Sequence, residues 1–482
     1  MTRLIKCMIC VVACLCALTA VAEADVPIDE TTFPDDNFRA YVLENIDKDG
    51  DAVLSEGEIE ETTSIVVSNM DITDLTGIGY FSDLKYLYCE NNDLKTLDVS
   101  DCPLLRRLEC RNNKITSLNI KGCSAIETLT CDNNRLSTLD VSHCSNLTGL
   151  DCADNLLTTL DVTKCKDLFA LSCSKNRLTY VDVSECTKLN SLYCYDMQLI
   201  SLDVTRCADL EILNCSGNPL GFLDVRNCGK LRILECSFNA LDSLDVSNCP
   251  QLSFFVCYGN NLTKLDVTGN IQLRDFSCFD NKLTSLNVTQ CTNLEMLQTS
   301  GNPLQVLDVS KCTDLEMLFC ENSKLTSIDV SECLYLKDLY CGYNKYPITV
   351  PSTRAFNLSK LPGTFDVSRT SNWVGGTVSG NILTVDSGAK QVTYDYDAGN
   401  GYTASFTLNV TVDENMPAYR PGDADNNGAV NSADALTILH YCVDDDVMIN
   451  AANADVNGDG TVSIHDALCI FQHEAGWDGV LR

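Results

Sequence analysis

The hydrophobic positions of this chain recur every 21 residues over more than half of its length. The hydrophobic positions of the first full unit are Leu84, Leu87, Cys89, Leu94, Leu97, Val99 and Cys102, and the polar residue among them is Asn92. The leading position returns from Leu84 to Leu336, which gives 13 units without an insertion. An unbroken repeat of this kind predicts a solenoid in which each unit forms one coil and stacks on its neighbours.

Within each unit, the pattern predicts short strands. Leu87 and Cys89 alternate with polar residues, so that one face of a short strand points inward. Asn92 is matched by Asn in 11 of 13 units, with Met197 and Ser323 as the exceptions, and this column predicts a ladder that satisfies backbone groups. The second half of the unit repeats the first at a ten-residue offset, with Cys102 in the place of Asn92. We therefore expect two strands per coil.

These residues resemble the leucine-rich repeat, with Cys in its third apolar position. The resemblance covers residues 84–346 and implies a mainly β solenoid, a leucine-rich repeat arc of 13 units of 21 residues.

Cysteine is unusually frequent, with 29 residues, and most lie in the two inward columns that begin at Cys89 and Cys102. Residues 1–24 have basic Arg3 and Lys6, an apolar run and a small-residue end, the pattern of a signal peptide of a secreted protein. Export leaves disulfides open, but stacked neighbours would have parallel Cβ vectors. Removal of the four cysteines before residue 25 leaves 25, an odd number. Buried free thiols are the preferred interpretation.

The charge excludes two classes of partner. Lys and Arg number 34 against 67 Asp and Glu, a formal net charge of −33. Such an excess of acid argues against nucleic acid and against an anionic membrane surface. No apolar stretch after the signal peptide is long enough for membrane insertion. A lipid attached at Cys14 is a weaker alternative to cleavage.

Two outward columns of the repeats differ. A nearly uniform Asp column, beginning at Asp98, is interpreted as structural, capping the next turn; catalysis by its neighbouring carboxylates is the less favoured alternative. The first-strand column varies freely, and variation on a constant scaffold is how repeat proteins build binding surfaces. Scattered aromatics without a role are the alternative. The candidate ligand surface consists of Tyr88, Tyr193, Tyr195, Tyr258, Phe279, Phe319 and Tyr340.

Residues 25–83 lack the regular repeat and are predicted to form an N-terminal cap. The cap contains a 12-residue loop that follows the EF-hand pattern, with Ala52 where Gly normally makes the turn. A helical cap without metal is the alternative. The candidate ligands of a third Ca²⁺ are Asp47, Asp49, Asp51, Val53, Ser55 and Glu58.

After the repeats, composition shifts to Thr, Val, Gly and Ser, which predicts a small β-sandwich over 347–415 and a linker over 416–422. Two further 12-residue loops then lie 32 residues apart, each with oxygen ligands at the EF-hand positions, Gly at the sixth, and an apolar helix after it. Their candidate Ca²⁺ ligands are Asp423, Asp425, Asn427, Ala429, Asn431 and Asp434, and Asp455, Asn457, Asp459, Thr461, Ser463 and Asp466.

The tandem over 423–477 resembles the dockerin module of cellulosomes. The resemblance implies an all-α domain that folds with two Ca²⁺ ions and binds a cohesin on a scaffold protein. It places the cohesin contacts at Ser432, Ala433, Ile464 and His465, and because the two pairs differ, docking in two symmetric orientations is in doubt. A generic calcium-stabilised helical pair is the alternative.

We therefore predict a secreted, non-catalytic cellulosome subunit that docks through calcium to a scaffold cohesin and recognises a protein through its repeats. A plant-wall glycan-binding subunit is the second hypothesis, and a component of polysaccharide degradation associated with a glycoside hydrolase is the third. Against an enzyme, the sequence contains neither G-x-S-x-G nor H-E-x-x-H, and a solenoid offers an open surface rather than a closed pocket.

Overall fold

The structure, a computed structural model, describes residues 25–416, 420, 422–425, 429–443, 447, 449–458 and 460–476. The predicted signal peptide and residues 417–419 and 421 of the predicted linker lie outside these ranges. The chain divides into two compact units, residues 1–220 and 221–482.

The first unit contains two helices and a parallel sheet of very short strands. In chain order its elements are β1 (Val26–Pro27), α1 (Asp36–Asn45), β2 (Val53–Leu54), α2 (Glu56–Glu61), β3 (Ser64–Val66), a 3-10 turn (Ile78–Tyr80), β4 (Tyr86–Tyr88), β5 (Thr96–Asp98), β6 (Arg107–Glu109), β7 (Ser117–Asn119), β8 (Thr128–Thr130), β9 (Gly149–Asp151), β10 (Ala170–Ser172), β11 (Ser191–Tyr193) and β12 (Ile212–Asn214). The main sheet runs in the order β3, β4, β6 and then β8 to β12. The leucine-rich repeat fold is thereby confirmed, with one strand at the same position of every coil.

The parallel sheet begins one coil before the regular repeat. Ile65 of β3 pairs with Leu87 of β4, a step of 22 residues, whereas Leu87 pairs with Leu108 at the usual step of 21. The extra residue hides this coil from a search for a 21-residue period. Phe33, Phe38 and Val42 of the preceding cap are fully buried, so the cap supplies an apolar layer next to this first coil.

The prediction of two strands per coil is wrong beyond the second repeat. Only β5 and β7 pair in the second half of a described repeat. In later coils single backbone bonds remain, such as Arg135 N to Ile115 O at 2.9 Å. The chain then turns, since Cys144 N donates to Val141 O at 3.0 Å. These local turns satisfy the backbone without an inter-strand ladder.

The Asn column forms the predicted ladder. Asn134 Nδ2 donates to Cys110 O of the preceding coil at 3.0 Å and to Cys131 O of its own coil at 3.1 Å, while its Oδ1 accepts from Ile115 N at 2.9 Å. Asn281 repeats the arrangement in the second unit. Each buried Asn therefore ties two neighbouring coils together.

The cysteines are free thiols, which was the preferred interpretation of the two inward columns. All 25 in the described residues are unbridged, and the 23 within the repeats are buried. In the second column most thiols contact a backbone carbonyl of the preceding coil, as Cys291 Sγ does at 3.5 Å from Val267 O. Where Asn270 replaces Cys, its Nδ2 donates to Val246 O at 3.0 Å and to Cys249 O at 2.9 Å. The column therefore satisfies carbonyls as well as filling space.

The second unit continues with six strands of the repeat and then leaves the solenoid pattern. Its elements are β13 (Ile233–Glu235), β14 (Phe254–Val256), β15 (Asp275–Ser277), β16 (Met296–Gln298), β17 (Met317–Phe319), β18 (Asp338–Tyr340), β19 (Asn344–Val350), β20 (Ala355–Asn357), two 3-10 turns (Leu358–Lys360 and Val367–Arg369), β21 (Thr370–Val374), β22 (Gly376–Ser379), β23 (Ile382–Val385), β24 (Gln391–Gly399), β25 (Tyr402–Val412), α3 (Ser432–Tyr441), α4 (Ala451–Ala454) and α5 (Ile464–Glu474).

The β-rich segment after the repeats has a four-stranded sheet, β19-β25-β24-β21, and a three-stranded sheet, β20-β23-β22. β19 crosses the boundary predicted at residue 347, because Asn344 completes the Asn ladder while the same strand continues beside β25. The segment also bonds to the last coil. Tyr394 Oη donates to Thr326 O at 2.6 Å, and Arg369 contacts Asp329 through two nitrogens.

The C-terminal helices begin three residues before the apolar runs that predict them. Asn431 caps α3 and Ser463 caps α5, each in a capping box with Asp434 or Asp466. A small buried cluster that includes Ile438 and Ile470 holds the helices together. Among the described residues no helix combines the length and the apolar character needed to cross a membrane.

Candidate calcium loops and repeat surface

The first C-terminal loop brings three carboxylates together. Oxygens of Asp423, Asp425 and Asp434 lie within 4.8 Å of one another, and Asp423 and Asp434 are buried. The backbone holds Asp434 in place, since its Oδ2 accepts from Asn431 N at 3.0 Å. Burial, together with the charge of Asp425, raises the pKa of Asp434. Such a cluster has the oxygen donors that Ca²⁺ prefers and a concentration of negative charge that a cation would neutralise.

The predicted ligands of this loop are placed as follows. Asn431 is the N-cap of α3, and Ala429 lies two residues before it. Asn427 lies outside the described residues.

The second loop repeats this framework. Asp466 is fully buried; its Oδ1 accepts from Val456 N at 2.8 Å, and its Oδ2 accepts from Ser463 N at 2.8 Å. Asp455 is also buried, and its Oδ2 accepts from Gly460 N at 2.9 Å. The predicted ligands Asn457 and Thr461 lie between them in the loop, and Asp459 lies outside the described residues.

The N-terminal loop has a similar arrangement. Oxygens of Asp47, Asp49 and Glu58 lie within 4.8 Å of one another. Asp47 accepts from Gly50 N at 2.7 Å and from Ala52 N at 3.0 Å. Ala52 adopts a φ of 62°, so the loop makes its turn without the Gly that is usual there.

Glu58 has a second function in this loop, because its Oε1 accepts from Lys48 N at 2.6 Å and its Oε2 accepts from Ser55 N at 2.9 Å. Asp51 and Val53, the other predicted ligands, bond to each other, Asp51 Oδ1 accepting from Val53 N at 2.8 Å.

The Asp column caps turns, as its uniformity predicts. Asp161 Oδ1 accepts from Thr163 N at 2.9 Å and from Thr163 Oγ1 at 2.7 Å, and other members bond in the same way to the residue two positions on. These side-chain and backbone hydrogen bonds lower the pKa of Asp161. The carboxylates are thus engaged within their own turns, and a role in the fold accounts for the column.

The cohesin-contact residues predicted from the dockerin resemblance lie in the first turns of α3 and α5, and Ser432, Ala433, Ile464 and His465 are all exposed.

The residues of the predicted ligand surface lie in both units. In the first unit Tyr88 and Tyr193 lie in β4 and β11, and Tyr195 has Lys175 Nζ 5.9 Å from its ring centroid. In the second unit the aromatics form two stacks. Tyr258 and Phe279 have ring centroids 4.1 Å apart, and Phe319 and Tyr340 have centroids 4.7 Å apart.

Sequence analysis missed Phe238, whose ring lies 4.9 Å from Tyr258 at an interplanar angle of 87°. Phe238 has a φ of 49° at a turn position where most repeats have Asn, Asp or Gly. A bulky side chain in this left-handed conformation is unusual. The break in that column was the signal available in the sequence.

Comparison with known proteins identifies both regions. Residues 421–473 match the family described as the dockerin type I domain, and residues 33–155 match the family described as the LRR domain of the endo-β-N-acetylglucosaminidase EndoS. The latter match begins inside the cap, in agreement with the early coil at β3. Over 68 residues the chain is 37% identical to Internalin J of Listeria monocytogenes serotype 4b (strain F2365), which spans 14% of this chain and only 7% of that protein.

Solved structures agree. The functional domain of InlJ from Listeria monocytogenes, described as including a cysteine ladder, is similar with a TM-score of 0.60 and 29% identity over 81% of this chain and 99% of that chain. A leucine-rich repeat protein of Leptospira interrogans is similar with a TM-score of 0.53 and 24% identity over 62% of this chain and 81% of that chain, which shows the fold.

Proposed function

We propose, from the premise that this chain is a leucine-rich repeat protein with a C-terminal type I dockerin domain, that it is a secreted, non-catalytic subunit of a cellulosome-type assembly. The dockerin docks to a cohesin of a scaffold protein in the presence of Ca²⁺, and the repeats recognise a protein. Residues 1–24 direct export and are then removed.

The observation that carries this proposal is the cluster of Asp423, Asp425 and Asp434 at the start of α3. Two of its three carboxylates are buried, and like charges at this separation repel strongly when little water surrounds them. Ca²⁺ bound by the two loops supplies the compensating charge, so we expect folding of α3 and α5 to be linked to the metal.

The two dockerin helices present different surfaces, which supports docking in one orientation. Ile464, Leu468 and Phe471 of α5 follow i, i+4, i+7 spacing and are 60%, 51% and 39% exposed. At the corresponding first position α3 has polar Ser432. We propose that the apolar stripe of α5, with His465 beside it, makes the main cohesin contact, because docking would cover its exposed apolar surface.

Calorimetric titration of the full chain with a panel of recombinant type I cohesins tests this assignment. We expect binding in Ca²⁺ that is lost in EDTA, weakened at least tenfold by Ile464→Ser with Leu468→Ser, and nearly unchanged by the matched pair Ser432→Ala with Leu436→Ser. Binding that survives EDTA, or that depends on the α3 pair alone, would contradict it.

We further propose that the N-terminal loop binds a third Ca²⁺ through Asp47, Asp49 and Glu58. Repulsion among these acids supports a third site. A backbone hydrogen bond from Asp51 acts to lower the pKa of Asp49. Burial and the neighbouring charges of Asp51, Glu58 and Asp47 nevertheless raise that pKa overall.

Calcium titration of wild type, Glu58→Gln and the exposed control Glu60→Gln tests the third site. We expect three ions in wild type and in the control, and two in Glu58→Gln. Two ions in all three proteins would remove the site and leave the dockerin assignment intact.

A further inference from the structure

Three coils of the second unit form an outward patch with mixed chemistry. In the sheet register, Ile233, Phe254 and Asp275 lie side by side, and so do Glu235, Val256 and Ser277. Phe254 and Val256 are half-buried on the outer face of β14. The apolar pair therefore lies between the carboxylates of Glu235 on β13 and Asp275 on β15, whose strands are about 10 Å apart at ordinary strand spacing.

The aromatic residues that follow these strands, Tyr258 and Phe279, are half-buried. Tyr258 and Phe279 stack with an interplanar angle of 10°, one ring from each of two neighbouring coils. Because the stack runs from coil to coil along the surface, each ring covers a face of the other. Sugars stack on free ring faces, whereas ring edges pack against aliphatic and sulfur-containing side chains. This geometry favours a polypeptide over a glycan.

The two carboxylates form no ion pair with a described residue. Neither Glu235 nor Asp275 has an ion-pair partner among the described residues, and the neighbouring Arg274 pairs with Glu295 at 2.9 Å. Burial raises the pKa of Glu235; burial and then the charge of Glu295 raise the pKa of Asp275, against the opposing charge of Arg274. A cation from a partner would meet two partly desolvated, unneutralised acids there.

We propose that Glu235, Phe254, Val256, Tyr258, Asp275 and Phe279 form a docking site for a polypeptide segment that carries an apolar side chain between Lys or Arg residues. The apolar side chain packs on Phe254 and Val256 and against the ring edges, and the basic residues pair with Glu235 and Asp275. This inference rests on the proposed function in one respect, namely that the repeats recognise a protein. It adds the position of the binding site and the kind of peptide that the site selects.

Selection from a phage-displayed library of random 12-residue peptides tests the site, with the full chain immobilised in Ca²⁺. We expect enrichment of peptides with an aliphatic, Met or aromatic residue flanked by Lys or Arg. A synthesised enriched peptide should bind Glu235→Gln/Asp275→Asn at least tenfold more weakly than wild type at low ionic strength, with a smaller difference in high salt, because screening weakens exposed charge pairs. Tyr258→Ala should weaken binding in both conditions.

The matched control is Asp151→Asn/Tyr180→Ala, which changes an outward carboxylate and an exposed aromatic residue of the first unit, neither of which belongs to the predicted ligand surface. The inference is overturned if no peptide family is enriched, if enriched peptides are acidic, or if the control pair abolishes binding while the Glu235/Asp275 pair does not. It is also overturned if xylan or cello-oligosaccharides, tested in parallel, bind in a manner that requires Tyr258. Cohesin binding by the same protein is measured alongside, so that failure of this site is distinguished from failure of the dockerin assignment.

Discussion

Replacement of Asn134 by Ala should destabilise the repeats far more than the loss of one surface side chain. Asn134 is 9% exposed; its Nδ2 donates to three carbonyls and its Oδ1 accepts from one amide, and these bonds join two coils. Alanine leaves Ile115 N buried without its acceptor, whereas Cys110 O keeps the bond from Asn113 Nδ2 at 3.1 Å. An unsatisfied buried polar group costs about 1–3 kcal/mol and each other lost hydrogen bond about 1 kcal/mol, so we expect the free energy of unfolding to fall by about 3–4 kcal/mol.

The assay is urea unfolding of the full chain in Ca²⁺, combined with hydrogen exchange of the segment that contains the Ile115 amide. The control is Asn133→Gly, the exposed neighbour with a φ of 52°, where glycine fits the backbone and we expect a change below about 0.5 kcal/mol. The slope of the transition must be compared as well, because coils can unfold in groups. A folded Asn134→Ala protein with an unchanged midpoint and unchanged protection of Ile115 would refute the reasoning.

Four other predictions concern the thiols, the β-rich segment and the metal. In native protein at pH 8, iodoacetamide should label exposed Cys442 and leave the repeat cysteines unmodified, as counted by mass spectrometry, since these are buried; labelling of the columns without denaturant would contradict the packing. Burial raises the pKa of Cys123 to about 12 and that of Cys144 to about 11. The two protonated thiols therefore make their whole contribution to the free energy of unfolding below pH 8.5, the ordinary thiol pKa. It should fall as pH rises from there towards these values, seen as a decreasing urea midpoint; a midpoint that rises over this range would oppose it. Tyr394→Phe removes the bond to Thr326 O and should lower stability by about 1–2 kcal/mol in calorimetry, with Tyr343→Phe, an exposed site, as the neutral control. EDTA should reduce helical circular dichroism and Ca²⁺ should restore it, whereas Asp434→Asn should weaken that recovery.

The sequence predicts the inward architecture well because each inward position has one physical solution. A polar residue such as Asn92 within an apolar column is stable only if its amide is bonded, which makes the ladder predictable. The calcium loops are predictable for a similar reason, since Asp423 and Asp434 have the spacing that wraps a hard cation. An odd number of inward cysteines likewise points to thiols.

Features for which the sequence allows two local structures of similar energy were harder to predict. Alternation at Leu139 and Val141 fits a strand, yet the turn after Asp140 satisfies the same backbone locally. The coil at Ile65 was missed because one extra residue shifts its period. The aromatic cluster of Phe238, Tyr258 and Phe279 arises between coils, so no single repeat reveals it.

The Asn ladder has an evolutionary consequence. Each Asn reaches one coil back and no further, as in Asn134, Asn155 and Asn176, so gene duplication or loss of 21 codons would leave every remaining bond in register. Repeat number is therefore free to drift by recombination while the two ends of the protein stay the same. Relatives should differ in whole coils, and natural selection can lengthen or shorten the recognition surface without altering how the protein is anchored.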